Sequence, residues 1–198
     1  ARNGLPVSTR SEAHTQSGQS LVQDGILLDM TALQGPIEVD AKGLTATLGA
    51  GIRWRTLVGH VYPMGLIPPT LTNNLDVTIG GTLSMAGLGI ASFKNGAQVD
   101  NVLEIEAVMA NGEIVQCSPT KNAEAFNAVR SSLGQFGVIT RAKVRLRPVK
   151  PRVVTYFLLY DDLCACMRDS KTLMEEDRIT YLESWCVPLP MGFRKVGV

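Results

Sequence analysis

Residues 80–89 have the spacing that most directly indicates a ligand site. They read Gly-Gly-Thr-Leu-Ser-Met-Ala-Gly-Leu-Gly, so four glycines fall within ten positions. Glycine allows a backbone to pass close to a large flat or anionic ligand, because it has no Cβ and accepts positive φ angles. The glycines alone leave two interpretations open, a weak structural element or a cradle for a ligand.

Residues 10–19 form a second segment that could do chemistry. They read Arg-Ser-Glu-Ala-His-Thr-Gln-Ser-Gly-Gln, a polar loop around a histidine. A neutral imidazole is a nucleophile near neutral pH. On these residues alone, however, His14 is interpreted as an ordinary surface histidine.

Hydrophobic periodicity predicts the elements that position these segments. The predicted strands are 26–30, 37–40, 44–48, 102–109, 113–117, 138–146, 153–159 and 180–187. The predicted helices are 54–61, 122–131 and a third from Asp161 or Asp162 to about Glu176, with Leu163, Met167, Ser170 and Met174 along one stripe. This alternation is typical of an α+β or α/β fold.

Three local signals refine these elements. Asn111-Gly112 predicts a type I′ hairpin turn, because both residues accept positive φ. Asn122 is expected near the N-cap of its helix. Basic residues alternate with apolar ones over 138–146, which predicts an edge or one-sided strand. A domain boundary is predicted near Pro148–Pro151, where the texture of the sequence changes.

Composition limits the classes of function. The chain has 198 residues, room for one substantial domain or one domain and part of another. The net charge of +1 gives no electrostatic argument for nucleic acid or an acidic membrane surface. No apolar run approaches the length of a transmembrane helix. We therefore expect a small-molecule substrate as the partner, with no nucleic acid and no membrane; oligomeric state and compartment stay open.

The four cysteines are interpreted as buried free thiols. They lie at 117, 164, 166 and 186, without a Cys-x-x-Cys pair, and only two histidines accompany them. This pattern predicts no metal site. Cys164 and Cys166 are two apart on a predicted helix, so their side chains are expected on different sides.

Four ordered motifs, at 10–19, 72–89, 93–99 and 134–142, together resemble the FAD-binding domain of the vanillyl-alcohol-oxidase superfamily, and most closely cytokinin dehydrogenases. The resemblance runs from about Arg10 to Ser184. It implies an α+β fold, with a two-subdomain FAD-binding domain over 1–149 that lacks its N-terminal strands. It also implies the start of a truncated, antiparallel-sheet substrate domain over 150–198.

The resemblance implies FAD as cofactor and names the residues that bind it. The implied residues are Arg10, Ser11, Glu12, Ala13, His14, Thr15, Gly18, Gln19, Thr78, Gly80, Gly81, Ser84, Gly87, Gly137, Val138 and Ile139. The family's pyrophosphate loop reads Arg-Gly-x-Gly-His-Ser-x-x-Gly-Gln, so Ser11 and Ala13 replace two glycines. Each replacement costs about 1 kcal/mol if the position needs positive φ.

Two further residues of this loop bear on the cofactor. A carboxylate about 5 Å from a phosphate is repelled by roughly 3 kcal/mol at an effective dielectric near 20, so Glu12 is expected to point to solvent or to weaken binding. His14 matches the histidine that many relatives bond to the flavin C8-methyl group, which allows a covalent link here. No cysteine lies near Gly80-Gly81, so a second covalent link is not expected.

The resemblance also implies two residues close to the substrate. The family's proton-accepting aspartate falls on Asn73, and an amide has no useful basicity. Asp76 is nearby, but in an extended segment its side chain points to the opposite face. Tyr181-Leu182-Glu183-Ser184 resembles a substrate-domain motif whose glutamate lies near the active site. The alternatives are a loop turn at Asn73-Asn74 and an exposed strand glutamate at Glu183.

Three functions follow from the resemblance. The first is an FAD-dependent oxidoreductase that oxidises a C–H next to an amine, as cytokinin dehydrogenases do. The second is a degenerate or truncated, non-catalytic flavin-fold protein, which Ser11, Ala13 and Asn73 favour. The third is an alcohol or sugar oxidase of the same superfamily that uses a different base.

Overall fold

The computed structural model describes residues 4–189 and 192–197, with side chains as far as Cys186. The described residues leave out residues 1–3 of the first predicted domain and residues 190–191 and 198 of the second. The strands are β1 (Val7–Arg10), β2 (Ile26–Asp29), β3 (Glu38–Asp40), β4 (Thr45–Gly49), β5 (Leu66–Ile67), β6 (Val102–Met109), β7 (Ile114–Cys117), β8 (Gly137–Arg145), β9 (Arg147–Pro148), β10 (Leu159–Tyr160), β11 (Trp185–Leu189) and β12 (Gly192–Gly197). The helices are α1 (Trp54–Val61), α2 (Ile79–Leu83), α3 (Ser92–Asn95), α4 (Ala123–Val129) and α5 (Leu163–Glu175).

A five-stranded antiparallel sheet, in the order β3-β4-β8-β6-β7, forms the centre of the fold. Strand β8 lies in its middle, where Ala142 is opposite both Leu48 and Ile105. The prediction of an edge strand is therefore wrong. The one-sided pattern is correct, because Ile139, Ala142 and Val144 are buried. The alternation in the sequence indicates only that one face of the strand is buried. A central strand shows the same alternation when helices pack on one side of the sheet.

The other face of β8 carries exposed ion pairs. The Nη2 atom of Arg141 lies 2.6 Å from a carboxylate oxygen of Glu38, and Nζ of Lys143 lies 3.0 Å from one of Glu104. Both pairs are solvent-accessible; Lys143–Glu104 joins the neighbouring strands β8 and β6, whereas Arg141–Glu38 reaches across β4 to β3. Such pairs add little to stability, so their effect is to keep this face charged and the opposite face in the core.

Helix α1 joins the core to the glycine-rich segment. Trp54, Leu57 and Val61 are buried on one face of α1. The indole Nε1 of Trp54 donates a hydrogen bond to the Thr82 hydroxyl at 2.8 Å. A buried tryptophan with its N–H satisfied stabilises the contact without an orphaned donor. Helix α2 is thereby fixed against the core.

The Asn111-Gly112 hairpin forms, but its turn is not type I′. Gly112 has φ of +88°, whereas Asn111 is not among the residues with positive φ. The Gly112 N–H donates to the carbonyl of Met109 at 2.9 Å, and the Met109 N–H donates to that of Glu113 at 2.9 Å. A single left-handed glycine after a turn is the bulged hairpin, which needs only one positive φ.

Two predictions for residues 151–189 are wrong. Residues 151–158 form no strand. The two-residue strand Leu159–Tyr160 follows them and pairs with β12. Val154, with 77% of its surface exposed, finds no covering layer among the described residues. The strand predicted over 180–187 corresponds to β11, which begins at Trp185 rather than at residue 180. An apolar run predicts a strand only where a partner strand is available.

Helix α5 begins where expected but buries a different stripe. The carboxylate of Asp162 accepts hydrogen bonds from the N–H groups of Cys164 and Ala165, as an N-cap does. Cys166 and Ser170 are buried, while Leu163 and Met167 are exposed. The thiols are free, but only Cys117 and Cys166 are buried, so the prediction fails for Cys164 and Cys186.

Asn122 lies at the N-cap of α4, with φ of +49°, but makes no side-chain cap. Its amide donates instead to the Gln116 carbonyl at 2.9 Å. The side chain therefore ties α4 to β7. In the described part of the chain no helix is long and apolar enough to cross a membrane.

Candidate functional site

A cavity of about 550 Å³, here called the larger cavity, opens beside the glycine-rich segment and the histidine loop. Three segments surround it: residues 9–20, 72–88 and 133–139. Met30 and Ala50 complete its wall. The volume is in the range of sites for cofactors and small ligands.

The structure places most of the sequence-predicted cofactor residues on this cavity. Those that line it are Ser11, Glu12, Ala13, His14, Thr15, Gln19, Thr78, Gly80, Gly81, Ser84, Gly87, Gly137, Val138 and Ile139, together with Asn73. Arg10 and Gly18 do not line it. Arg10 ends β1 opposite Asp29 of β2, so its backbone is committed to strand pairing.

Sequence reasoning missed several lining residues. They are Thr9, Ser20, Met30, Ala50, Thr72, Asn74, Val77, Thr82, Met85, Leu88, Leu133 and Gly134. Most of them are next to a recognised motif in the sequence, and this proximity is the signal by which they could have been predicted. Met30 and Ala50 had no such signal, because tertiary packing alone brings them to the wall. Hydrogen bonds from Thr31 to the Asp29 carboxylate hold the turn that presents Met30, and they lower the pKa of Asp29.

The loop after β1 keeps free backbone donors. In the described part of the chain, no hydrogen bond uses the backbone N–H groups of residues 12–16. Ala13 has φ of +52°, whereas Ser11 is not among the residues with positive φ. Only Ala13 therefore pays the conformational penalty expected for the two lost glycines, about 1 kcal/mol. The loop has the left-handed turn of an anion-binding nest.

Glu12 is neutralised rather than turned to solvent. One of its carboxylate oxygens accepts a hydrogen bond from Nε of Arg53 at 2.8 Å. The same contact raises the pKa of Arg53. Glu12 is the only carboxylate among the described residues that line the larger cavity. Its pairing reduces the repulsion that an anionic ligand would meet, which corrects the expectation of a solvent-facing or inhibitory carboxylate.

Gly80 and Gly81 are helical and do not have positive φ. Gly80 instead packs on β4–α1: a Cβ on it would lie 2.8 Å from that of Ala50, and its N–H donates to the Ala50 carbonyl at 2.8 Å. The Thr78 hydroxyl caps α2 by accepting from the Gly81 N–H at 3.3 Å. Glycine is thus required here for close packing beside the cavity. Left-handed backbone occurs further along, at Gly87 with φ of +71°.

The loop at 131–134 is strained and closes the cavity beside α2. Ser131, Leu133 and Gly134 all have positive φ. The N–H groups of Ser131 and Leu133 donate to the carbonyls of Leu83 and Ser84, at 3.0 and 2.9 Å. These bonds satisfy carbonyls at the end of α2. Non-glycine residues at positive φ persist where surrounding contacts hold them, often at functional sites.

Two adjacent asparagines contact two different parts of the site. Nδ2 of Asn74 lies 3.3 Å from Nε2 of His14. Nδ2 of Asn73 donates to a carboxylate oxygen of Glu183 at 2.6 Å. The segment therefore links the loop after β1 to a residue 110 positions away. Asn74 also forms the local turn that was the alternative here, because its Oδ1 accepts a hydrogen bond from the Asp76 N–H at 2.9 Å.

A smaller cavity of about 460 Å³ adjoins the larger one. Thr72 and Asn73 line both, and Glu183 lines only the smaller. The remaining wall is mostly apolar, and includes Pro68, Pro69, Leu71, Ile90 and Tyr181. The Asn73–Glu183 contact thus marks the border of the two cavities.

Two further contacts fix Glu183 in place. The Leu182 N–H donates to the Ile90 carbonyl at 2.9 Å. A guanidinium nitrogen of Arg147 donates to the Tyr181 hydroxyl at 2.7 Å. The residues on both sides of Leu182 are therefore held against the rest of the fold, so Glu183 is not a free exposed strand glutamate.

Asp76 faces away from this site. Its carboxylate accepts two hydrogen bonds from Arg55, at 2.6 and 2.9 Å. These hydrogen bonds lower the pKa of Asp76 and raise that of Arg55. Asp76 does not line either cavity, as the alternation of an extended segment predicted.

Among the described residues, no cluster of three or more histidine, cysteine, aspartate or glutamate side chains has the arrangement of a metal site. His14 lines the larger cavity and Glu183 lines the smaller one. The site therefore combines neutral anion-binding donors, an apolar wall and two carboxylates, Glu12 paired with Arg53 and Glu183 bonded to Asn73.

Comparison with known proteins gives two findings. The family described as FAD binding domain matches residues 1–118. Cytokinin dehydrogenase 3 of Oryza sativa subsp. japonica is 41% identical over 188 residues, which is 92% of this chain and 36% of that protein. Cytokinin dehydrogenase 1 of Arabidopsis thaliana is 35% identical over 188 residues, 93% of this chain and 33% of that protein. The chain thus spans about a third of the length of these curated relatives.

Proposed function

This chain belongs to the FAD binding domain family, and from that membership and the two adjoining cavities we propose that it oxidises a C–H next to an amine. The substrate class is that named by its relatives, a cytokinin, which is an adenine with an N6 side chain. The observation that carries the proposal is the position of Glu183 beside Asn73, where the cavities meet.

FAD is the cofactor that the family match and the relatives indicate. The donors in the larger cavity fit it. The free N–H groups of residues 12–16 suit a pyrophosphate, and Glu12 is already paired. Met30, Val77 and Ile139 give apolar surface for flat rings. When bound, FAD supplies hydride acceptance from the carbon next to the substrate nitrogen.

Glu183 is the residue that takes the substrate proton. Asn73 stands where the family has an aspartate, and its amide cannot accept a proton at neutral pH. The hydrogen bond from Asn73 instead orients the Glu183 carboxylate. A positioned carboxylate acting as general base contributes about 10²–10⁴-fold to rate. The apolar wall of the smaller cavity suits the side chain of an N6-substituted adenine.

The finer architecture is part of the proposal. We infer a two-subdomain FAD-binding domain over residues 1–149 and the start of a substrate domain over 150–198. The separate three-stranded antiparallel sheet β10-β12-β11 supports a change of domain after residue 149. The contact of Glu183 with Asn73 supports a substrate site at the junction.

A two-step measurement tests the function. The purified protein is first titrated with FAD, with binding followed by quenching of flavin fluorescence. The loaded protein is then mixed anaerobically with an isoprenoid adenine, and bleaching of the visible absorbance of the oxidised flavin is followed by stopped flow. We expect saturable binding and amine-dependent bleaching. Binding without bleaching by any N6-substituted adenine would contradict the amine chemistry.

A non-catalytic flavin-binding protein is the second candidate. The amide of Asn73 at the position of the family's base favours it. This candidate predicts FAD binding and no reduction by amines, alcohols or sugars. Bleaching by an alcohol or a sugar, with none by an adenine, would instead support an alcohol or sugar oxidase of the same superfamily.

A further inference from the structure

The orientation of the Asn74 amide is fixed by its two neighbours. Its Oδ1 accepts a hydrogen bond from the Asp76 N–H at 2.9 Å. Its Nδ2 therefore faces Nε2 of His14, at 3.3 Å. The reversed amide would place Nδ2 against the Asp76 N–H, two donors in contact with no acceptor between them. The hydrogen-bond network thus assigns the nitrogen of Asn74 to the histidine.

We propose that Asn74 is a positioning residue that selects the tautomer of His14. Because Nδ2 of Asn74 can only donate, Nε2 of His14 must accept, and the ring proton lies on Nδ1. The hydrogen bond made by one ring nitrogen decides which nitrogen is protonated. The neutral ring of His14 therefore carries its proton on Nδ1 and turns Nε2 to Asn74.

The other groups around His14 are consistent with this tautomer. In the described part of the chain, no carboxylate lies within hydrogen-bonding distance of His14. Glu12 is paired with Arg53, and Asp76 with Arg55. A carboxylate beside Nε2 would accept its proton and select the opposite tautomer. Asn74 instead donates to Nε2, so it selects the tautomer with the proton on Nδ1.

The consequence concerns attachment of the cofactor, and it rests on the proposed function. Attachment would join a ring nitrogen to the flavin C8-methyl carbon, and the methyl carbon and the ring would each release one proton. The two electrons of the broken C–H bond would pass to the flavin, and dioxygen would take them up to give hydrogen peroxide. The nitrogen that forms this bond must be unprotonated. In the selected tautomer that nitrogen is Nε2, which Asn74 occupies. Asn74 therefore opposes covalent attachment, and FAD is held non-covalently or linked slowly.

Nuclear magnetic resonance of the cofactor-free protein tests the tautomer without any enzyme activity. Long-range ¹H–¹⁵N correlation identifies which imidazole nitrogen is protonated. The chain has two histidines, His14 and His60, and a His60→Gln variant assigns the signals. At about pH 8.5, some two units above the unperturbed histidine pKa, we expect His14 to carry its proton on Nδ1. A proton on Nε2 in the native protein would overturn the proposal.

Two substitutions test whether Asn74 causes this state. Asn74→Ala removes the donor, and we expect the Nδ1–H population to fall by roughly two- to tenfold. Asn74→Asp keeps the shape and the bond from Asp76 but turns a donor into an acceptor, so the proton moves to Nε2. The His60 signals report whether each variant is folded. An unchanged tautomer in folded Asn74→Asp refutes the role of Asn74.

Intact mass spectrometry tests the consequence. After incubation with FAD and air, we expect slow or no mass gain in the native protein and faster gain of one FAD in Asn74→Asp. The gain should disappear in the double variant with His14→Ala. Equal, rapid attachment in native protein and variant would show that Asn74 does not oppose it. Failure to bind FAD at all would contradict the proposed function but leave the NMR result standing.

Discussion

The Asn73 amide donates a 2.6 Å hydrogen bond to the Glu183 carboxylate, across 110 residues of sequence. The two side chains meet where the larger and smaller cavities adjoin. Because the donor is an amide, the pair contains one carboxylate and no shared proton. In the function proposed above, Glu183 is the base and Asn73 orients it, at a place where the resemblance puts the family's aspartate.

The first prediction concerns Glu183. Glu183→Gln keeps the shape and removes the base, so amine-dependent flavin reduction should slow by about 10²-fold or more. The measurement is stopped-flow bleaching with an isoprenoid adenine. FAD affinity should be unchanged, because Glu183 does not line the larger cavity. Glu38→Gln on the outer face of the sheet is the matched control, and a similar loss in both variants would contradict the assignment.

The second prediction concerns Asn73. Asn73→Asp restores a carboxylate beside Glu183, and two carboxyl groups in contact share one proton near neutral pH. Amine-dependent reduction should rise by up to about 10²-fold at high pH, where both groups are ionised. The gain should shrink as the pH falls and the pair holds its proton. Fast reduction by the native protein, unchanged by the substitution at every pH, would show that a carboxylate at position 73 does not accept the substrate proton.

The third prediction separates the two lost glycines of the loop after β1. Ala13→Gly removes the strain of a side chain at φ of +52° and should raise the free energy of unfolding by about 1 kcal/mol. Ser11→Gly should lower it by about 0.4–1 kcal/mol, because Ser11 has no such strain and glycine makes the unfolded chain more flexible. Urea unfolding of both variants is the measurement. Equal effects would argue against the left-handed turn at Ala13.

The fourth prediction concerns the Arg53–Glu12 pair. Arg53→Ala leaves the Glu12 carboxylate unpaired in the cavity wall, so FAD affinity should fall by about fivefold. Fluorescence titration measures it. Adding Glu12→Gln should restore affinity, because the repelling charge is gone. A loss that persists in the double variant would mean that Arg53 contacts the cofactor directly.

The fifth prediction is a pH dependence of stability. The hydrogen bond from Arg55 lowers the folded-state pKa of Asp76 below its ordinary value of 3.8. The pair therefore stabilises the fold above that value, and the stabilisation is lost as the pH falls through the folded-state pKa. Asp76→Asn should flatten the acid limb of the unfolding curve below pH 3.8, and Arg55→Gln should flatten it similarly. An acid limb unchanged by either substitution would contradict the coupling.

The parts of the fold that were predictable have local causes. Helix α1 follows the predicted 54–61, and β6 the predicted 102–109, because each pairs a strong apolar period with a clear boundary residue. Strand 153–159 failed because its apolar residues find no neighbouring strand, which no local pattern records. The central place of β8 is likewise a property of pairing, since its sequence reports burial of one face only.

The candidate site was predictable where backbone motifs carry it. Residues 11–15 and 137–139 line the larger cavity, as the resemblance implied. Met30 and Ala50 join it through packing of distant segments. Arg53 is the partner of Glu12 from 41 residues away, a contact that neither period nor motif encodes. Long-range ion pairs depend on tertiary geometry, so they become visible only in the fold.

The middle strand of the central sheet is also the last of its five strands to be synthesised. Strand β8 pairs Arg145 with Thr45 of β4, and β4 and β6 have no pairing with each other. At a translation rate of about 5–20 residues per second, the hundred or so residues between them take roughly 5–20 s to appear. Until then β4 and β6 keep open edges, which other chains or chaperones can bind. Ile139 belongs to the same strand and lines the larger cavity, so this cavity is complete only after β8 has been inserted.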